Sequence, residues 1–256
     1  MSAEQKANGI LRCLFFPPKC CACGRFLQEH ILDTEPRALC ESCRRKWEYA
    51  KLSTCKRCGE ELSKCRCMPL ELRRANASVM LKMVCYDKAR DTVPRRCVLY
   101  MKKNNVSAVF DYFSGQLAYL LRGYLEETYT AEGSVLVTYL PRGVKNARRV
   151  GMDQSELLAR GLATSLGCDF GRLLMRRRFS SREQKSLGKR ERFDNVANAF
   201  LLDKVNMKEL NGRYRCIVLV DDVVTTGASL AACTKILKEG FGGRIICICL
   251  AQTVKN

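Results

Sequence analysis

Eight cysteines in the first 67 residues form four close pairs, a spacing suited to a tetrahedral metal ion. The pairs are Cys20 and Cys23, Cys40 and Cys43, Cys55 and Cys58, and Cys65 and Cys67. A tight turn between two cysteines presents two thiolates, and two such turns complete a four-sulfur shell for Zn²⁺. Pairing neighbours along the chain predicts two zinc sites.

Either one or two zinc ions are compatible with this pattern. The short Cys65-Arg66-Cys67 pair leaves little room for two ligands, so the second site could be vestigial. A structural role is favoured over a catalytic one, because shells made only of cysteine are closed whereas catalytic zinc keeps an open position. A segment of about seventy residues buries little apolar surface, and metal binding would help it fold. We predict a Cys-rich zinc-ribbon-like module over residues 1–70 and a second domain over 71–256.

A second group of reactive residues lies in the stretch CIVLVDDVVTTGASLAAC, residues 216–233. The carboxylates of Asp221 and Asp222 follow an aliphatic strand pattern, and parallel sheets bind ligands beyond the carboxyl ends of their strands. The hydroxyl-rich segment 225–229 then opens a helix, whose N-terminal N–H groups attract anions. No Walker-type triphosphate motif is present. This pattern predicts a pocket for one phosphate, with the acids facing ribose hydroxyls and Mg²⁺.

Four periodic segments indicate the elements that position these residues. Residues 107–125 have apolar side chains at helical spacing, and 135–140 read as a buried strand. Residues 153–166 predict a helix capped by Asp153. From 217 to 251 a strand, a helix and a second strand predict a βαβ unit. The expected fold class is therefore α/β.

Composition narrows the function classes further. With 256 residues and 47% hydrophobic residues the chain can bury a core, and no window is apolar enough for a membrane span. Seventeen cysteines without a signal peptide indicate a reducing compartment, so we expect a cytoplasmic protein. The single histidine, His30, argues against catalysis by a histidine-based triad. A net charge of +19 favours polyanionic partners.

The stretch VLVDDVVTTGAS resembles the phosphoribosyl pyrophosphate (PRPP) signature of type I phosphoribosyltransferases. The resemblance implies that fold, a parallel sheet flanked by helices, beside the zinc module. It also implies that Asp221 and Asp222 are the catalytic acids that hold the ribose, with Mg²⁺ bound alongside PRPP. The implied PRPP-binding residues are Asp221, Asp222, Val223, Val224, Thr225, Thr226, Gly227, Ala228 and Ser229, with Pro141, Arg142 and Gly143 as the pyrophosphate loop.

Further motifs resemble one branch of that superfamily, the ComF family associated with natural competence. They are TYLPRG at 138–143, GMDQSELLARGLA at 151–163 and FSSREQKSLGKRERFDNVANAF at 179–200. An N-terminal cysteine-rich module is also typical of the branch, so the resemblance extends from Cys20 to Leu250. It implies a role in DNA uptake, with PRPP as ligand and single-stranded DNA and the competence helicase machinery as candidate partners.

Two function classes remain open. The chain has Val150-Gly151-Met152-Asp153-Gln154 where the branch usually has Arg-Gly-Phe-Asn-Gln, a change on the pyrophosphate side of the site. The first hypothesis is a phosphoribosyltransferase with an unidentified acceptor. The alternative is a non-catalytic protein that binds PRPP and single-stranded DNA.

Much of the basic charge lies in the part of the chain between the predicted pyrophosphate loop and the Asp221-Asp222 segment. Residues 142–192 contain fourteen Lys or Arg and five Asp or Glu, an excess of nine that is nearly half of the +19 of the whole chain. In one interpretation Arg176, Arg177 and Arg178 are solvated surface or serve the diphosphate of PRPP. In the other, this segment borders a groove for single-stranded DNA. We expect residues 176–195 to form a flap over the reacting centre.

Overall fold

A five-stranded parallel sheet forms the centre of the computed structural model. The structure describes residues 17–27, 37–128, 135–142, 151–177, 199–202, 210 and 212–254. The strands of this sheet are β1 (Val79–Asp87), β2 (Val135–Tyr139), β3 (Asp169–Phe170), β6 (Cys216–Val224) and β7 (Arg244–Val254). Their order across the sheet is β1-β7-β6-β2-β3, with every neighbouring pair parallel.

Helices cover both faces of this sheet. They are α1 (Glu41–Lys51), α2 (Leu70–Arg74), α3 (Val93–Met101), α4 (Ser107–Glu127), α5 (Gln154–Leu166) and α6 (Ala228–Gly240). Two short antiparallel strands, β4 (Leu174–Arg176) and β5 (Phe200–Leu202), pair outside the sheet. The predicted class, an α/β fold with a parallel sheet flanked by helices beside a cysteine-rich module, is confirmed.

The central strand β6 is apolar along most of its length because both of its faces are covered, as in other parallel sheets. Val218 and Val220 belong to a core shared with α3, α4 and α5. Ile217 and Leu219 belong to a second core shared with α2 and α6. The alternation of side chains along a strand thus directs successive residues into the two cores.

The three helices predicted from their sequence patterns are present. Helix α5 begins after Asp153, whose carboxylate accepts a hydrogen bond from the backbone N–H of Ser155. It ends at Leu166, and Gly167 caps it in the left-handed conformation with φ of 67°. It packs closely on α4, because a Cβ atom added at Gly161 would lie 2.4 Å from Oγ of Ser114. The glycine therefore permits the close approach of these helices.

The cysteine-rich segment packs on the sheet domain. The ring centroid of Trp47 in α1 lies 4.9 Å from that of Phe113 in α4. Nearby, Nζ of Lys51 donates a hydrogen bond of 2.8 Å to Oε1 of Gln116. Cys20 and other buried residues of this segment belong to the same core as α4 and α5. The two predicted domains thus share a hydrophobic core.

The main strand of the predicted βαβ unit is longer than expected. We expected it to end at residue 220, but β6 continues to Val224, so both acids lie within the strand. The reason is continued pairing with β7, in which Asp221 is opposite Cys249 and Val224 is opposite Gln252. Among the described residues, no helix is both long enough and apolar enough to cross a bilayer.

Candidate functional site

The two predicted acids lie at the carboxyl end of β6 and are both buried. Ser155, near the start of α5, donates a hydrogen bond of 3.1 Å from its Oγ to Oδ1 of Asp221. The backbone N–H of Asp222 donates hydrogen bonds to the same two oxygen atoms. Its nitrogen lies 2.9 Å from Oδ1 of Asp221 and 3.3 Å from Oγ of Ser155. Burial and the neighbouring Asp222 carboxylate raise the pKa of Asp221 well above its usual range.

Arg142 connects the predicted pyrophosphate loop to the acids. Its guanidinium group forms an ion pair with the carboxylate of Asp222, and both side chains are largely buried. Its backbone N–H donates a 2.7 Å hydrogen bond to Oδ2 of Asp153, the residue that caps α5. Burial raises the pKa of Asp153 from its ordinary value, which the Arg142 backbone partly offsets. The ends of β2 and β6 and the start of α5 therefore meet in one hydrogen-bonded network.

This convergence follows from the strand order. Strands β2 and β6 are direct neighbours, with Tyr139 opposite Val220. The pairing continues one residue further, where the backbone N–H of Leu140 donates to the carbonyl oxygen of Val220 at 2.9 Å. Residues that follow the two strands are therefore brought to the same edge of the sheet.

The predicted phosphate loop is the turn between β6 and α6. Thr225 and Thr226 are exposed. Gly227 caps α6 in the left-handed conformation, with φ of 79°. Oγ1 of Thr226 accepts a weak hydrogen bond of 3.4 Å from the backbone N–H of Ala228. Hydroxyls and N–H groups at a helix N-terminus form an arrangement that suits a phosphate monoester.

The other predicted site residues are placed as follows. Pro141 and Arg142 lie beside the acids, whereas Gly143 falls outside the described residues. Val223 and Val224 are strand residues, and Val224 is buried in the core with α6. Most of the predicted flap, residues 178–195, also lies outside the described residues, as do His30 and Val150.

From the sequence, Asp153 was expected to cap a helix and to belong to the altered segment on the pyrophosphate side, and Ser155 was not a predicted site residue. Both belong to the network around Asp221 and Asp222. Gln154 between them is fully buried, and its amide atoms have no hydrogen-bonding partner among the described residues. Three consecutive polar residues at the start of a helix that follows a buried strand were a signal that could have indicated this site.

The first cysteine cluster consists of Cys20, Cys23, Cys40 and Cys43, whose sulfur atoms all lie within 4.8 Å of one another. Sγ of Cys23 is 3.7 Å from Sγ of Cys40. Zn–S bonds of about 2.3 Å in a tetrahedron separate the sulfur atoms by about 3.8 Å. The donor set and its spacing therefore fit Zn²⁺.

The second cysteine cluster consists of Cys55, Cys58, Cys65 and Cys67 and meets the same 4.8 Å limit. The short Cys65-Cys67 pair thus does bring both sulfurs to the cluster, and Sγ of Cys58 is 3.5 Å from Sγ of Cys65. The buried Lys82 of β1 donates a 3.0 Å hydrogen bond from Nζ to Sγ of Cys65. Both clusters could hold structural zinc.

Both clusters begin with the same backbone turn. In each cluster, a glycine with positive φ follows the Cys-x-x-Cys pair, and its N–H donates a 2.8 Å hydrogen bond to the carbonyl oxygen of the first cysteine. The bonds run from Gly24 to Cys20 and from Gly59 to Cys55.

The first turn of each cluster also favours a thiolate. Burial raises the pKa of Cys23, but the Arg25 backbone and neighbouring thiols outweigh burial and lower the pKa to about 6. The pKa of Cys55 is also lowered to about 6, since backbone N–H groups again outweigh burial.

Comparisons with known proteins extend the resemblance drawn from the motifs. No family model matches the chain. The chain is similar to "DNA utilization protein YhgH" of Salmonella typhi, with 35% identity over 106 residues, or 41% of this chain and 44% of the relative. The protein of the same name from Escherichia coli K12 is 34% identical over 106 residues.

A further relative carries a different name. "Competence protein F" of Haemophilus influenzae is 34% identical over 91 residues, 36% of this chain and 38% of the relative. The matches span less than half the length of these curated relatives. These matches and the two four-cysteine clusters support the resemblance to the ComF family that the motifs indicate.

Proposed function

We propose that the chain binds PRPP with Mg²⁺ at the carboxyl end of β6 and transfers its phosphoribosyl group to an acceptor. The observation that carries this proposal is the network joining Arg142, Asp222, Ser155 and Asp221. The network brings a cation and two carboxylates together at the edge of the sheet where the predicted phosphate loop follows β6. Each group complements one part of PRPP, which carries a 5′-phosphate, two ribose hydroxyls and a diphosphate.

In this arrangement the 5′-phosphate would accept hydrogen bonds from residues 225–229, and the ribose hydroxyls would donate to Asp221 and Asp222. The acceptor's nucleophile forms a bond to the anomeric carbon as the bond to the pyrophosphate oxygen breaks. Mg²⁺, for which carboxylate oxygens are suitable ligands, would neutralise part of the diphosphate charge. The chain itself supplies positioning and electrostatic complementarity.

A second candidate function is supported by charge and by the relatives. The names of the similar proteins refer to DNA utilization and to competence. The net charge of +19 favours binding to a nucleic acid backbone. In this alternative the chain binds PRPP as a regulatory ligand and single-stranded DNA along its basic surface, without turnover.

Pyrophosphate release separates the two functions. Purified full-length chain is incubated with PRPP and Mg²⁺, with and without bases, amines and oligonucleotides as acceptors. Acceptor-dependent release supports transfer. PRPP binding without release, together with DNA affinity that falls steeply with salt, supports the alternative. The absence of any PRPP binding by calorimetry would contradict both.

A further inference from the structure

The turn that forms the predicted phosphate loop rests on the segment that follows the second cysteine cluster. A Cβ atom placed on Gly227 would lie 2.8 Å from Cγ of Pro69 and 3.4 Å from Cδ1 of Leu72. Leu72 is fully buried in the core that also contains Leu230 of α6. Pro69 and Gly227 are thus packed together although they are far apart in the chain.

The second cluster holds this segment in place. Pro69 is two residues beyond Cys67, the last cysteine of the cluster. Arg57, between Cys55 and Cys58, donates a 2.9 Å hydrogen bond from its guanidinium group to the carbonyl oxygen of Met68. Lys82 donates from Nζ to the carbonyl oxygen of Cys67 at 3.1 Å, in addition to its bond to Cys65.

The first cluster has different neighbours. Cys20 and Cys43 are buried in the core that contains Trp47 of α1 and Phe113 of α4. The first cluster therefore packs into the core on one face of the sheet, whereas α6 and the predicted phosphate loop pack against the core on the other face. The two clusters have similar donor sets but support different parts of the fold.

We propose that metal binding at the second cysteine cluster positions the phosphate loop through the contact between Pro69 and Gly227, so that occupancy of this cluster regulates affinity for the phosphate-bearing ligand. The proposal rests on the proposed function for the identity of that ligand. A metal ion fixes four sulfur atoms at once and so constrains residues 65–69. Coupling between two sites is reciprocal, so the bound ligand also raises the affinity of this cluster for its metal.

Two arginines of the same cluster provide a matched pair of variants. Arg57 contacts the Met68 carbonyl, whereas Arg66 forms an exposed ion pair with Glu127 of α4. Neither is a metal ligand. We expect Arg57→Ala to weaken PRPP affinity threefold to tenfold by calorimetry and Arg66→Ala to change it less than twofold, with metal content unchanged in both.

Loss of the metal itself is tested with Cys58→Ser, which alters an exposed ligand. We expect one fewer zinc per chain, PRPP affinity at least tenfold weaker, and amide hydrogen exchange at residues 226–229 at least tenfold faster in the ligand-free chain. The exchange measurement needs no PRPP, so it tests the coupling even if the wild-type chain does not bind PRPP. Exchange at wild-type rates in Cys58→Ser, with the zinc lost and the chain folded, would overturn the proposal.

Discussion

The guanidinium group of Arg142 is paired with the carboxylate of Asp222, 80 residues later in the chain. The resemblance to type I phosphoribosyltransferases implies that Arg142 binds the pyrophosphate and Asp222 binds the ribose. In this structure the charges of the two side chains neutralise each other. A buried carboxylate without a cation is costly, which explains the pairing. Binding of PRPP and Mg²⁺ would exchange these partners for the charges of the ligand.

Replacing Arg142 by Gln should destabilise the chain, because Asp222 would be left buried without its ion pair. We expect the free energy of unfolding to fall by about 3 kcal/mol, measured by urea denaturation. Arg96→Gln is the matched control, since Arg96 pairs with Asp91 on an exposed surface, where loss of an ion pair should change the free energy of unfolding much less. Equal effects of the two variants would contradict the importance of burial.

Removing the charge of Asp222 should weaken ligand binding. Asp222→Asn is expected to reduce PRPP affinity by about 1.5–3 kcal/mol, roughly 10- to 150-fold, because a charge-assisted hydrogen bond is lost. Calorimetry measures the change. Asp111→Asn, on the exposed face of α4, should bind PRPP as the wild type does. An unaltered dissociation constant in Asp222→Asn would place the ribose elsewhere.

The raised pKa of Asp221 predicts a pH dependence of stability. The folded chain holds this proton more tightly than the unfolded chain, so stability falls as the pH rises from the unfolded pKa of about 3.9 to the higher folded value. Asp221→Asn removes this ionisation. Its free energy of unfolding should therefore exceed that of the wild type at pH 8, and the difference should shrink as the pH is lowered towards 4.

The contribution of the metal clusters to this titration cancels in the comparison, because the variant retains all eight cysteines of the two clusters. Urea titrations at several pH values give the difference. A constant difference between the two proteins from pH 4 to pH 8 would show that Asp221 keeps an ordinary pKa.

The close contact of α4 and α5 should not tolerate a larger residue at position 161. Gly161→Ala places a Cβ atom against Oγ of Ser114, which itself donates a 3.2 Å hydrogen bond to the carbonyl oxygen of Leu158. We expect the free energy of unfolding, measured by heat or urea, to fall by about 1–3 kcal/mol. In Gly123→Ala, where the added Cβ atom lies in open space on α4, the free energy of unfolding should instead rise by about 0.5–1 kcal/mol.

Two zinc ions per chain are expected by elemental analysis, one in each cluster. The single tryptophan, Trp47, reports on the first cluster because it belongs to the same core as Cys20 and Cys43. Cys40→Ser should remove one zinc and alter Trp47 fluorescence, whereas Cys58→Ser should remove the other with little change in emission. A wild-type chain that contains no zinc would refute the metal assignment.

The features predictable from sequence were those encoded by neighbouring residues. The periodicity of residues 107–125, the cap at Asp153 and the strand-helix-strand pattern after residue 216 all depend on local geometry. Pairing of the cysteines in chain order also followed from spacing, because tight turns bring each pair together. The acids of the DD motif could be assigned to the end of a strand for the same reason.

Contacts between distant residues depended on the tertiary structure. The order β1-β7-β6-β2-β3 makes β2 and β6 neighbours, and this adjacency brings Arg142 to Asp222 and Ser155 to Asp221. Packing of α2 on α6 places Pro69 against Gly227. Sequence periodicity specifies which face of an element is buried but does not specify what that face meets. Strand order and helix packing decide those neighbours, and with them the geometry of the site.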